Sequence, residues 1–389
     1  MDFRLSEGQE KFRQEVRDFL EGEMKQGLWE PSCDAWIMGH DPEFTKRVAK
    51  KGWIGLTWPK EYGGQGKTYV DRTILMEEAL KYQAPIGAHF LGDRQIGPCI
   101  IHFGTEEQKR EWLPKILNAD VSFCLLFSEP DAGSDLVAVR STAIEEGDFF
   151  TLNGQKVWTS GGHLADHGWL LAKTDPKAPQ QHKGASQFIL NMKLPGVTVR
   201  PLINMAGEHS FNEVFFDNVK VPKNCMVGEK NKGFYQIMAQ MGFERAGIER
   251  LMQNYTIFEY LKEYVRSTKR NGKVLFEDPL IRSTVAQLEI EFNAGRLLCY
   301  MVAWTVDQGK MPDYEAALCK AFCTQFEQRL TDALTRIVGP QSTLMPGSKH
   351  ALFAGEVARN YLWLPSYTLQ GGSTEILKNI VARRGLKMA

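Results

Sequence analysis

At 389 residues the chain exceeds what one hydrophobic core comfortably organises, so two or three domains are expected. Hydrophobic residues make up 43% and charged residues 24%, an ordinary globular mixture that excludes a disordered or fibrous chain. The 47 basic and 47 acidic residues balance, no long Lys/Arg run occurs, and no apolar stretch approaches the ~18–20 residues of a membrane span, which excludes nucleic-acid and membrane binders.

The first residues carry no basic-then-apolar signal pattern, because Ser6-Glu7-Gly8-Gln9 already reads as a helix start, and a cytoplasmic protein is expected. Residues 1–120 form an N-terminal helical domain in this reading. Ser6 and Gln9 make a capping box ahead of Phe12, Val16, Phe19 and Leu20, and Thr105 and Gln108 make another ahead of Trp112, Leu113 and Leu117. Tyr69 to Tyr82 reads as a helix, whereas Trp58-Pro59 and Tyr62-Gly63-Gly64-Gln65-Gly66 mark a loop.

Residues 121–227 change to the texture of a small β-domain. Phe149 to Leu152, Asn153-Gly154 and Lys156 to Thr159 predict a hairpin with a type I′ turn. Trp169 to Ala172, Gln187 to Met192, Val197 to Leu202 and Glu213 to Val221 add short alternating runs. Residues 228–389 return to helix: Phe234 to Thr268, Leu280 to Gln308 and Tyr314 to Val338, punctuated by Gly272, Gly309 and Gly339, predict an antiparallel four-helix bundle. The seven cysteines show no framework spacing, and Cys319 and Cys323, one turn apart, read as packing residues.

Three stretches carry chemistry. Phe127-Ser128-Glu129-Pro130-Asp131-Ala132-Gly133-Ser134-Asp135 leaves a strand in a Gly-Ser turn, which exposes N–H groups and a hydroxyl to an anion or a cofactor edge, and also suits a plain surface turn. Gly154-Gln155-Lys156-Val157-Trp158-Thr159-Ser160-Gly161-Gly162 sets an indole and small hydroxyls at a strand end, suited to backing a flat ring, although a lone Trp is more often core. Leu369-Gln370-Gly371-Gly372-Ser373-Thr374-Glu375-Ile376 opens a helix whose first turn suits a phosphate or a polar cofactor group, or else is simply capped.

Their order and spacing, with Phe211-Asn212-Glu213-Val214-Phe215-Phe216-Asp217-Asn218-Val219-Lys220-Val221-Pro222, closely resemble the acyl-CoA dehydrogenase family over essentially the whole chain. The resemblance implies an α+β multidomain fold with N-terminal helices, a central β-domain and a C-terminal four-helix bundle. It implies FAD between β-domain and bundle, completed by a second subunit of a homo-oligomer (dimer or tetramer) or a hetero-oligomer. An acyl-CoA substrate and an electron-transferring flavoprotein as acceptor follow. Residue by residue, Phe127 and Ser128 would border the flavin. Gly133 and Ser134 would approach a phosphate or the CoA part, Trp158, Thr159 and Ser160 the ring and its polar edge, and Ser373 and Glu375 the pyrophosphate and ribose region.

Many members carry the catalytic base as a Glu directly before the Gly of the C-terminal motif, where this chain has Gly371. A minority, including enzymes for branched and long acyl chains, carry it before an Arg on the first long helix of the C-terminal domain. Phe243-Glu244-Arg245 stands at that place, so Glu244 is the expected base and Arg245 its neighbouring partner. Glu249-Arg250 is a second Glu-Arg pair in the same helix, and five residues at ~100° each rotate it about 140° away, so both cannot face one site. A subunit-crossing Arg and Phe of the family correspond to Thr268-Lys269-Arg270-Asn271-Gly272, in which Arg270 supplies the charge and the aromatic is missing. Among other residues, His163 and His167 read as turn residues rather than a metal pair, and Asp93-Arg94 as a structural ion pair or, through Arg94, a site for a polar acyl tail. α,β-Dehydrogenation of a branched, cyclic or bulky acyl-CoA is the expected activity. Alternatives are a same-fold oxidase or desulfinase, and a non-catalytic partner subunit.

Overall fold

The computed structural model describes residues 3–244 and 247–388, with the side chains of 239–244 outside that description. Helix α1 (Glu7–Lys25) starts in the expected capping box, Gln9 N donating to Ser6 Oγ at 3.2 Å and Ser6 N to Gln9 Oε1 at 2.9 Å. There follow α2 (Pro42–Lys50), α3 (Tyr69–Lys81), α4 (Gly87–Leu91), a π-helical turn Gly92–Ile96, α5 (Gly97–Phe103) and α6 (Glu106–Leu117), the last opened by the Thr105–Gln108 box.

Eight strands then form one sheet: β1 (Phe123–Leu126), β2 (Thr142–Glu146), β3 (Phe149–Lys156), β4 (His167–Lys173), β5 (Ala185–Asn191), β6 (Val197–Ile203), β7 (His209–Pro222) and β8 (Met226–Val227). Their order is β6-β7-β3-β2-β4-β5-β8, with β1 parallel beside β4. Inward side chains of alternate residues, among them Leu126, Phe150, Leu152, Leu170, Phe188 and Val214, fill one core.

The predicted Asn153-Gly154 hairpin is not formed. β3 runs straight through both residues, with a bulge between Leu152 and Gly154, and the true turn lies at Gly147 (φ 58°) between β2 and β3. Gly154 is needed for close approach, since a Cβ there would lie 2.4 Å from Ser141 Oγ, and Asn153 Oδ1 accepts from Asn218 N at 2.8 Å across the bulge. The local Asn-Gly signal was outcompeted by pairing with β7.

The helical C-terminal third comprises α7 (Gly233–Glu244), α8 (Glu249–Met252), α9 (Tyr255–Ser267), a small hairpin of β9 (Lys269–Arg270) and β10 (Lys273–Val274), α10 (Pro279–Asp307), α11 (Tyr314–Val338), α12 (Glu356–Trp363) and α13 (Thr374–Ile380). The helix expected over Phe234 to Thr268 is thus in pieces. Asn254 leaves helical geometry (φ −109°, ψ 20°) and turns its buried amide to Glu327 Oε2 at 2.6 Å, a bond that competes with continuing the helix.

Two compact units cut across chain order. A sheet unit holds Trp36–Thr68 and Pro85–Glu244, and a helical unit holds Met1–Ala35, Tyr69–Ala84 and Arg245–Ala389. Within the helical unit, Glu77 of α3 accepts from Arg13 of α1 (3.1 Å) and from Tyr300 of α10 (2.6 Å). Asp307 at the end of α10 accepts from Tyr69 N (2.7 Å) and Val70 N (3.1 Å), capping α3 from 238 residues away. Cys299 Sγ meets Cys319 (3.5 Å) and Cys323 (3.9 Å) between α10 and α11, the one group of metal-ligand spacing among the described residues. Their mutual hydrogen bonds and burial push the Cys299 thiol well above its ordinary value.

Gly154→Ala is expected to destabilise by at least about 1 kcal/mol, because φ is +141° and Ser141 occupies the Cβ position. A thermal midpoint equal to wild type would contradict the bulge as described.

Candidate active site

In the sheet unit the strand exits carrying the first two motifs are bound by a buried ion pair. Lys156, the last residue of β3, points inward and gives its ammonium to Glu129 Oε1 (2.7 Å) and to the Phe127 carbonyl (3.0 Å). The Glu129 carboxylate also accepts from the backbone N–H groups of Arg140 (2.6 Å) and Ser141 (3.0 Å), while Val157 N donates to the Ser128 carbonyl at 2.9 Å. Phe127–Ser128 and Val157–Ser160 are therefore held as one surface. Burial pulls the Lys156 ammonium down to about 8 against the attraction of Glu129.

On that surface Trp158 is 62% exposed and holds a left-handed φ of 60°, strained for a bulky residue, with its edge on Phe211 at 5.7 Å between centroids. Ser160, Phe127 and Ser128 are half-buried beside the same exits. Thr159 differs: it is 1% exposed and its Oγ1 finds no partner, so its hydroxyl faces the interior. Gly133 and Ser134 lie in an exposed bend, and nothing stands within 4 Å of a Cβ built on Gly133. An exposed indole face, adjoining hydroxyls and bare backbone fit a flat polar ring system such as FAD.

His167 packs on Trp112 (4.8 Å) and Phe123, whereas His163 stacks on His209 (3.8 Å), so the two do not form a metal pair. Asp93 accepts from Gly55 N at 2.7 Å, and Arg94 lies over the Phe90 ring at 5.4 Å; both are buried in the π-helical turn.

In the helical unit the third motif is a loop anchored from α11. Fully buried Lys320 donates to the carbonyls of Gly372 (2.6 Å) and Tyr367 (3.1 Å). Gly371 and Gly372 take φ values of 65° and 99°. Ser373 caps α13 by accepting from Ile376 N at 3.4 Å, and Glu375 is exposed, its carboxyl held below its ordinary value by its own backbone N–H and by Ser373. Gln370 contributes a buried Nε2 without a partner, a polar group for a ligand that sequence reasoning passed over. Arg270 donates to the Ile337 carbonyl at 2.6 Å, near the end of α11. The Glu244 side chain and all of Arg245 lie outside the described residues. Glu249 is fully buried and paired with Arg72 at 3.2 Å.

Sequence reasoning missed Lys156 and Glu129 as a pair, although a Lys at an inward strand position and a Glu before the Pro130 turn were the available signal. Burial alone would raise the Glu129 carboxyl, but the Lys156 charge and the bonds from Lys156, Arg140 and Ser141 hold it below its ordinary 4.5. A depressed carboxyl contributes stability present above its unfolded value and lost as pH falls toward the folded one. Thermal unfolding below about pH 4.5 should thus steepen in wild type relative to Glu129→Gln. At pH 7, Lys156→Met, which strands a buried carboxylate, should destabilise by about 3–5 kcal/mol.

Profiles of the acyl-CoA dehydrogenase N-terminal, middle and C-terminal domains match residues 6–120, 124–219 and 231–386. Acyl-CoA dehydrogenase IpdE1 of Mycobacterium tuberculosis is 34% identical over 385 residues, 97% of either chain. A solved chain of the Tcur3481-Tcur3483 steroid ACAD is 30% identical with a TM-score of 0.89, covering 100% of both chains. One from the ChsE4-ChsE5 complex of Mycobacterium tuberculosis is also 30% identical, with a TM-score of 0.88 and 100% coverage of both. With three domain profiles in register along the chain and this fold, the protein belongs to the acyl-CoA dehydrogenase family.

Proposed function

We propose that the chain oxidises the α,β carbon pair of a branched, cyclic or otherwise bulky acyl-CoA, with Glu244 taking the α proton. What supports this reading is the state of the rival carboxylate: Glu249 is fully buried and already paired with Arg72 within the helical unit. Gly371 has no side chain with which to abstract a proton. A carboxylate in a dry site binds a proton more readily, which suits the weakly acidic carbon beside a thioester. FAD supplies the hydride acceptor when bound. Around it Trp158 would cover the ring and Ser160 its polar edge, with Phe127 and Ser128 alongside. Gly133 and Ser134 would meet a phosphate or the CoA part, and Ser373 and Glu375 the pyrophosphate and ribose.

The bulky substrate class rests on the missing side chain at Gly371 and on the relative whose name carries a steroid. An electron-transferring flavoprotein is the proposed acceptor. No helix among the described residues is long and apolar enough to cross a membrane. Self-association is proposed through α10, where Ile290, Leu297 and Trp304 are exposed at seven-residue intervals, the spacing of a helix seam. A hetero-oligomer is a second reading, favoured by Arg270 being engaged at the Ile337 carbonyl rather than extended from its hairpin.

Anaerobic addition of a branched or ring-bearing acyl-CoA should bleach the flavin of the wild type. Glu244→Gln should slow that bleaching by about 10²–10⁴-fold; unchanged bleaching removes Glu244 from the role. Leu297→Asp should shift the assembly to a smaller species in light scattering, and an unaltered mass would exclude the α10 seam.

A further inference from the structure

The turn that presents Trp158 and Ser160 is bound to the start of β7 at three points. Thr159 N donates to the Asn212 carbonyl (3.1 Å), Gly161 N to the Ser210 carbonyl (3.1 Å), and Asn212 Nδ2 to the Thr159 carbonyl (2.9 Å). Asn212 is fully buried, and its amide also faces two imidazoles. Nδ2 lies 3.2 Å from His163 Nδ1, and Oδ1 lies 2.7 Å from His209 Nε2, while the two rings stack at 3.8 Å with 19° between planes.

The donor inventory leaves one consistent arrangement. The Thr159 carbonyl only accepts, which fixes Nδ2 on that side of the amide. The second Nδ2 hydrogen then points at His163 Nδ1, which must be bare, and Oδ1 must accept from His209 Nε2–H. His209 satisfies this neutral or charged; His163 satisfies it only when neutral. A proton on His163 Nδ1 sets two N–H groups head to head, and while the ring keeps its stack on His209 the Asn212 amide relieves the clash by giving up the Thr159 carbonyl. His163 is exposed, so solvent protons reach it. The charged groups facing it are His209 on β7 and His40, the latter in turn facing Asp41 and Asp166. Partial burial, with the His209 and His40 imidazoles, lowers the His163 pKa from its ordinary 6.5 and outweighs the hydrogen bond to Asn212, which acts the other way.

We infer that Asn212 is a positioning residue for the Trp158–Ser160 turn, and that its hold is released when His163 takes up a proton. Trp158 is in the left-handed region, so the turn stores strain that the three bonds restrain. That release would loosen the flavin-covering face is a consequence resting on the function proposed above.

Hydrogen exchange of the amides of residues 157–162, corrected for the intrinsic pH dependence, tests the release in the protein as purified. Protection in wild type should fall about tenfold between pH 7.5 and 5.5. His163→Phe, which keeps a ring on His209 and cannot be protonated, should stay protected at both. Asn212→Asp, which keeps the oxygen but loses both N–H donors, should show the lowered protection at both pH values. Flat protection in wild type, or an equal fall in His163→Phe, overturns the inference even where Asn212→Asp fails to fold. FAD affinity is measured alongside. If protection falls with His163 intact while affinity does not, the positioning stands and the assignment of this turn to the flavin fails.

Discussion

The arrangement of the sheet unit depends on one buried charge pair. Lys156 and Glu129 are taken out of water together, a desolvation offset by further hydrogen bonds: the ammonium on a carboxylate and a carbonyl, the carboxylate on two further backbone N–H groups. A hydrophobic pair of similar volume could fill the space, but it would not specify where two loop exits lie relative to each other. Geometry is what the pair supplies. Phe127 to Ser128 leaves β1 and Val157 to Ser160 leaves β3, and the pair makes these two separate connections into one face. A strained Trp158 is sustainable only on such an over-determined support.

The same logic appears in the helical unit with different chemistry. Lys320 reaches from α11 to the carbonyls of Tyr367 and Gly372, so the glycine-rich loop is bound through its backbone. Anchoring through carbonyls leaves the side-chain positions of that loop free to vary. This gives a physical reason why the loop keeps its place with no side chain at Gly371.

Much of this was legible in the residues because the signals were local. Both capping boxes, α3, α10 and α11 fall where periodicity and punctuation place them, since each is decided within a turn or two of its own sequence. The failures were of the opposite kind. Asn153-Gly154 reads as a turn until β7 offers a pairing partner some sixty residues later, and Asn254 reads as helix until Glu327 offers its carboxylate. The role of Asn212 was invisible for the same reason, because it exists only once two histidines and a carbonyl meet around it. The motifs identified the family; the groups that hold those motifs in position came only from tertiary structure.

Chain order and spatial order part company in one further respect. The sheet unit closes on residues up to Glu244, whereas the helical unit draws on both ends of the polypeptide, and the first turn of α3 receives its capping carboxylate from Asp307. During synthesis the sheet unit is complete well before the helical one. A nascent chain that has just passed residue 244 carries α1 and α3, which Arg17 and Glu78 join in the finished fold, with the partner helices that bury them not yet made. The amino-terminal helices must therefore wait for the carboxyl-terminal ones, and in that interval their apolar faces are the part of the nascent chain most open to holdase chaperones or to mispairing with a neighbouring copy.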